Sequence, residues 1–391
     1  MTELTVTPPG RRFRPTIYWY TTYRCNLVCK HCIVNSSPYV DTSWDMTTDE
    51  ALAAVDRIAA IEPGTVILTG GDPFVRKDIG VIIQALFDRR LRVGIESNAM
   101  LVTDEAARLL RSGLDAGVDL TLGISLDGGD AAAHDFQRGA GAYAAAIRGI
   151  ELLRSYGVPV QLQCVANRVN IETLPVLFAY TRQIGAISLT FAFLNPIGRA
   201  LEFTDQLSLG RAELTQALEV ICANMEQHPD LRVIVKLPPA MISPHIYPRL
   251  MRFRQPGNGV ALSTSCNFPL LGILPDGSVT VCSVTRTDTR AYLGNVKEES
   301  LVAIWERQGF DAMRRHYVEA AWLTGICGDC ILKNGCKGSC RAWAYAEFGE
   351  FSDPHPLCAA LAREGTFPEL YRISARDALL ARAVGGEVGN R

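Results

Sequence analysis

The sequence predicts an α/β protein: an open, TIM-like partial (β/α)6 barrel followed by a small Cys-rich α+β domain. Three observations carry that prediction. β-rich apolar runs alternate six times with segments of helical periodicity between residues 16 and 228. Such alternation demands parallel strands with right-handed crossovers, and six units are too few to close an eight-stranded barrel. Beyond about residue 260 the alternation gives way to closely spaced cysteines around one hairpin signal.

In chain order, residues 1–14 hold Pro8, Pro9, Gly10 and three arginines and read as a flexible lead. The barrel is expected over 15–230, with strands at 16–22, 65–69, 91–96, 119–126, 159–166 and 187–194. Its helices are expected at 48–60, 78–89, 104–116, 142–156, 171–183 and 211–228. Thr47-Thr48-Asp49-Glu50 has the spacing of a capping box for the first helix. Leu214, Ala217, Leu218, Ile221 and Met225 give the last an apolar stripe. Pro238, Pro239, Pro244 and Pro248 interrupt periodicity, so 231–260 reads as a bridge with short elements. In the domain expected over 261–365, Pro275-Asp276-Gly277 between two apolar runs predicts a hairpin that brings Cys266 and Cys282 close. A helix is expected after Ser300, then Cys327-x2-Cys330-x5-Cys336-x3-Cys340 and Cys358, and a tail over 366–391.

Composition narrows the function classes. A 391-residue chain that is 48% hydrophobic has ample core. With 41 acidic against 39 basic side chains, no global field favours nucleic acid or anionic membranes. There is no apolar signal region near Met1 and no run of eighteen apolar residues, so a cytoplasmic protein is expected. Twelve cysteines in that compartment argue for metal or redox chemistry over disulfides.

The densest chemical signal is Tyr23-Arg24-Cys25-Asn26-Leu27-Val28-Cys29-Lys30-His31-Cys32, which follows the first strand. Three thiolates this close can hold three corners of a cubane iron–sulfur cluster and leave the fourth iron without a protein ligand. A structural zinc site is the alternative, since zinc also takes clustered cysteines. The Cys-x3-Cys-x2-Cys spacing resembles that of radical SAM enzymes. The resemblance implies that S-adenosylmethionine chelates the open iron and is cleaved by one electron to a 5′-deoxyadenosyl radical, with His31 packed near the adenine.

Further positions resemble the family's S-adenosylmethionine contacts, and they fall at strand carboxyl ends, where α/β folds place ligands. Gly70-Gly71-Asp72-Pro73 matches the Gly-Gly-Glu-Pro segment that meets the amino group, with Asp72 in place of Glu. Ser97 and Asn98 resemble the ribose site, and Ser125 with Arg138 the carboxylate pair, for which a forked guanidinium is suited. Asn167 and Leu194-Asn195 are further candidates for the adenosine pocket. Each has a plainer reading as a turn, a cap or a solvated charge. Cys164 and Cys222 read as buried small hydrophobes.

The seven later cysteines, with Gly294-Asn295-Val296, Ser300-Leu301 and Ile304-Trp305 among them, resemble the SPASM extension of radical SAM proteins. By that resemblance Cys327, Cys330, Cys336 and Cys358 complete one auxiliary cluster, and Cys266, Cys282 and Cys340 hold another. The second lacks a fourth cysteine. Another side chain, a substrate atom or a smaller cluster would complete it.

The resemblance implies hydrogen abstraction from a substrate whose radical then loses an electron to an auxiliary cluster, with a flavodoxin- or ferredoxin-like electron donor. Most such proteins modify ribosomally made peptides, so a peptide substrate is expected first. The cluster loop starts too near Met1 for a fused leader-binding domain, so a separate leader-binding partner is expected with it. The alternatives are side-chain oxidation of a tetrapyrrole carboxylate and, outside enzymes, a zinc-stabilised binding module. No residue stands out as a general base.

Overall fold

The computed structural model describes residues 14–252, 261–263, 270–307 and 322–374. The six expected strands are present as β1 (Thr16–Thr22), β2 (Thr65–Gly70), β3 (Val93–Ser97), β4 (Leu120–Ser125), β5 (Val160–Ala166) and β6 (Leu189–Phe193). Each pairs in parallel with the next. The helices α1 (Thr48–Ala60), α2 (Ile79–Asp88), α3 (Asp104–Asp115), α5 (Ala142–Ser155), α6 (Leu174–Gln183) and α7 (Arg211–Gln227) fall within a few residues of expectation. The capping box of α1 forms: Thr47 Oγ1 accepts from the Glu50 N–H, and Glu50 accepts from the Thr47 N–H at 2.9 Å.

Two short elements near the barrel's strands escaped the periodicity, because each carries only a repeat or two to detect. One is α4 (Ala131–Arg138), between β4 and α5. The other is β7 (Val233–Lys236), inside the Pro-rich bridge, followed in the sheet by β8 (Ala261–Ser263). β7 pairs in parallel with β6, and β8 in parallel with β7. The expected hairpin is β9 (Leu270–Ile273) with β10 (Ser278–Thr280), and β11 (Tyr292–Asn295) completes the sheet.

The hairpin does not stand apart from the barrel. β9 pairs in parallel with the outer edge of β1, Thr16 opposite Leu270 and Trp19 opposite Ile273. The result is one open sheet in the order β11-β10-β9-β1-β2-β3-β4-β5-β6-β7-β8. Leu271, Ile273, Val279, Leu301 and Ile304 belong to the same apolar core as Ile17, Trp19 and Leu68. No helix among the described residues is long and apolar enough to cross a membrane.

Alternation along the strands separates two environments. The outward residues pack under the helices: Trp19, Leu68, Ile95, Leu122, Leu162, Phe191 and Val235 are all essentially inaccessible. Their inward neighbours are mostly half-buried and largely polar, among them Tyr18, Thr69, Glu96, Thr121, Gln161, Gln163 and Lys236. Leu68 lies in the middle of the outer layer, opposite Trp19 and Ile95. Leu68→Ala is expected to cost about 2–5 kcal/mol of stability, read as a lower midpoint in urea.

Candidate active site

The loop carrying Cys25, Cys29 and Cys32 leaves β1 and is held at the carboxyl ends of the strands by backbone contacts. The Gly71 N–H donates to Thr22 O at 2.8 Å and the Asp72 N–H to Arg24 O at 3.1 Å. This proximity explains the paired glycines: a Cβ on Gly71 would lie 2.1 Å from Arg24 O, and one on Gly70 equally close to Thr22 O. Gly70 also has φ of +138°, a conformation L side chains avoid. On the far side, Gly198 (φ +63°) abuts Ile33 O, and Arg199 donates from Nη1 to Cys29 O at 2.9 Å and from Nη2 to Ser36 O at 2.8 Å.

Asp72 turns inward. Its carboxylate accepts from the Phe74 N–H at 3.0 Å, from Ser97 Oγ at 2.8 Å and from the Asn98 N–H at 2.8 Å, binding the end of β2 to the end of β3. Burial pushes its carboxyl up, against the pull of these donors. Pro73 is buried and opens a 3-10 turn, Pro73–Val75. The Asn98 side chain donates to Asn26 Oδ1 at 2.8 Å, with Cys25 Sγ at 3.8 Å.

The most heavily tied group is Asp127, which the sequence reading passed over. It is fully buried beyond β4 and accepts from Arg138 Nε at 2.6 Å and from the Val165 N–H at 2.7 Å. His31 Nε2 lies 3.2 Å from the same carboxylate. Burial alone would raise its carboxyl, but the Arg138 charge and then His31 override this and hold it well below the usual range. Its own N–H donates to His134 Nδ1 at 3.0 Å. Arg138 and His31, chosen as cofactor contacts, thus meet each other through a carboxylate, and the Lys30 N–H joins the cluster loop to Gln137 O on α4 at 2.8 Å. Ser125, last in β4, is half-buried on the inner face, as is Leu194 just after β6. Asn167 is fully buried, and its amide is engaged by Gln137 Oε1, Val165 O and the Val169 N–H.

The later cysteines form two groups. Cys327, Cys330, Cys336 and Cys358 line one small, mainly apolar cavity with Pro238, Ala240 and Phe367. The neighbouring Cys358 holds the Cys327 thiol below its ordinary range. Cys282 lies against Cys340 and Trp343 in a separate cluster. Cys266, expected beside them, lies outside the described residues. Cys164 and Cys222 are buried in the core as expected. None of the described cysteines is in a disulfide.

The donor chemistry suits iron–sulfur ligation. Backbone N–H groups point at the sulfurs, Leu27 to Cys25 Sγ at 3.4 Å, Ser36 to Cys32 Sγ at 3.3 Å and His355 to Cys327 Sγ at 3.3 Å, the hydrogen bonds that tune thiolate-bound clusters. Burial pushes the Cys25 thiol up to about 12 and Cys29 up to about 11, so their thiolates depend on the positive charge of bound metal.

Comparison with known proteins agrees. A model described as the radical SAM superfamily matches residues 19–176, and SPASM, described as an iron-sulfur cluster-binding domain, matches 266–331. An AdoMet-dependent heme synthase of Nitratidesulfovibrio vulgaris is 32% identical over 363 residues, covering 90% of this chain and 93% of its own. The chain belongs to the radical SAM superfamily and carries a SPASM domain. A PqqA peptide cyclase of Granulibacter bethesdensis is 26% identical over 374 residues, covering 94% and 93%. The crystal structure of Streptococcus suis SuiB bound to S-adenosylmethionine has the same fold, with a TM-score of 0.67 at 15% identity over 88% of this chain and 77% of that one. The protein is therefore a radical SAM enzyme that works with iron–sulfur clusters and S-adenosylmethionine, and the alternative of a zinc-stabilised binding module falls with that membership.

Besides Asp127, sequence reasoning missed Arg199 and the polar inner face with Glu96 and Lys236. Period-2 alternation within the predicted strands was the signal that could have found the inner face.

Two predictions test these contacts. Gly71→Ala is expected to push the cluster loop off β2 and lower iron bound per chain after anaerobic reconstitution, while circular dichroism stays that of wild type. His134 is held neutral by burial and then by the Arg138 charge, with its pKa lowered from 6.5 to about 4. The unfolded chain takes up this proton first, so the contribution is complete above about pH 6.5 and is lost as pH falls toward 4. At pH 5 the loss is about 2 kcal/mol. Urea midpoints at pH 7 and pH 5 should differ less in His134→Gln than in wild type.

Proposed function

We propose that this radical SAM enzyme oxidises a propionate-type carboxylate side chain of a tetrapyrrole. The observation that carries the reading is the 32% identity, over most of both chains, to an AdoMet-dependent heme synthase, against 26% to the peptide cyclase. The polar inner face supports it, since a substrate rich in carboxylates needs hydrogen-bond donors around it. The peptide reading rests on the similarity to the PqqA peptide cyclase, and would add a peptide partner and a leader-binding protein.

When bound, a reduced cluster at Cys25, Cys29 and Cys32 supplies the electron that cleaves S-adenosylmethionine to the hydrogen-abstracting radical. The chain's own residues do the positioning. The Gly70–Pro73 backbone, Ser97 and Asn98 face one side of the cofactor, and Ser125 and Arg138 take its carboxylate. Arg138 gives only Nε to Asp127, which leaves its terminal nitrogens for that ligand. His31 and Leu194 border the adenosine. Cys327, Cys330, Cys336 and Cys358 would hold one auxiliary cluster, and Cys282 and Cys340, with Cys266, would hold another, which would supply a one-electron acceptor. A flavodoxin- or ferredoxin-like protein supplies reducing equivalents, and free thiols in this number fit a cytoplasmic protein.

The test is anaerobic turnover of reconstituted enzyme with S-adenosylmethionine, dithionite and iron coproporphyrin III, followed by mass spectrometry. The expected product has lost one hydrogen atom to the cofactor, carbon dioxide and one electron, leaving a vinyl group. The variant with Cys25, Cys29 and Cys32 changed to Ala should form neither this product nor 5′-deoxyadenosine. Wild-type enzyme that forms 5′-deoxyadenosine but leaves the tetrapyrrole intact, while crosslinking a precursor peptide, would replace this reading with the peptide one.

A further inference from the structure

We infer that Lys236 and Arg286 are the substrate's carboxylate anchors, one on the inner face of β7 and the other against Tyr23 at the base of the cluster loop. The inference rests on the tetrapyrrole reading and deepens it. Lys236 ends β7, flanked by Val235 and Leu237, which are both buried in the outer core. Strand alternation therefore turns Lys236 inward, and its register neighbours are Ala192 of β6 and Ser263 of β8. It is half-buried, and no carboxylate among the described residues pairs with it.

Arg286 follows the 3-10 turn Ser283–Thr285 that begins directly after Cys282. Its guanidinium lies 4.2 Å from the ring centroid of Tyr23, two positions before Cys25. The Tyr20 hydroxyl, 3.9 Å from Cys282 Sγ, holds the same strand end against the hairpin. Arg286 is thus a half-buried cation on the ring of Tyr23, at the base of the cluster loop and four positions after Cys282, with no carboxylate partner among the described residues. Other arginines of the barrel, such as Arg76 with Asp78 and Arg138 with Asp127, meet carboxylates directly.

Half-shielded cations without counter-ions carry a desolvation cost that an incoming anion repays. A guanidinium stacked on an aromatic face keeps its in-plane donors for a carboxylate fork. The position of Arg286 also fits the reaction. A substrate radical that forms near the cofactor and passes an electron toward Cys282 has to lie between them, and a side chain held by its carboxylate would present the adjacent carbons there. Two separated anchors suit a rigid macrocycle with several carboxylates, where one would suit a single acidic side chain.

The test is absorbance titration of reconstituted holoenzyme with iron coproporphyrin III, for wild type, Lys236→Met, Arg286→Met and the charge-keeping Lys236→Arg and Arg286→Lys. Each Met variant is expected to weaken binding about 10- to 100-fold. The charge-keeping variants should recover much of it, and iron content and affinity for S-adenosylmethionine should match wild type. Wild-type-like tetrapyrrole affinity in both Met variants would overturn the anchor assignment while leaving the proposed function standing. Failure of wild type itself to bind the tetrapyrrole would overturn both. Weakened binding with equal loss in the charge-keeping variants, or with loss of iron, would mean that the side chains support packing, and would overturn the assignment.

Discussion

A single buried carboxylate organises the cofactor end of this molecule. Asp127 is sealed from solvent, yet it gathers Arg138, His31 and the Val165 N–H, and through its own N–H it fixes His134. Three separate pieces of chain, the cluster loop, α4 and β5, therefore share one charge. A buried ion pair contributes little net stability, but removing either partner strands the other in low dielectric. The loop with its three cysteines is consequently set in one position relative to the strand ends, and a site that must hold metal, cofactor and substrate together depends on such pre-positioning.

Contacts of a second kind complete that positioning. The glycines at 70, 71 and 198 let the loop's neighbours approach backbone to backbone, and Arg199 ties the loop's Cys29 and Ser36 carbonyls to the segment after β6. Paired glycines at a strand end invite the interpretation that a ligand lies against them. Here their missing side chains are first required by Thr22 and Arg24 of the same chain. Asp72 likewise braces β2 to β3, its carboxylate being engaged by Ser97 and the Asn98 N–H of the same chain.

The sheet joins the two halves of the chemistry. Because β9 pairs with β1 and β10 with β9, the Cys282 turn and the cluster loop are carried by one sheet, and Tyr20 reaches Cys282 across that boundary. The Cys-rich region is thus an extension of the barrel sheet on one side and, around Cys327, Cys330, Cys336 and Cys358, a small separate core on the other. That arrangement keeps Cys282 and Cys340 in one cluster and Cys327, Cys330, Cys336 and Cys358 in another.

Much was legible in the sequence because it is written locally. Six strands, six helices, the Thr47 capping box and the Pro275-Asp276-Gly277 hairpin follow from periodicity and turn chemistry within short windows, and the cysteine spacings point to iron–sulfur ligation without any knowledge of the fold. Tertiary structure alone decided what distant residues do to one another. It gave Asp127 its partners, turned Asp72 inward, paired β9 with β1 and left Lys236 and Arg286 without counter-ions among the described residues. The physical reason is that secondary structure is set by neighbours a few residues apart. The charge state, burial and hydrogen bonding of a side chain are set by whatever the folded chain brings against it.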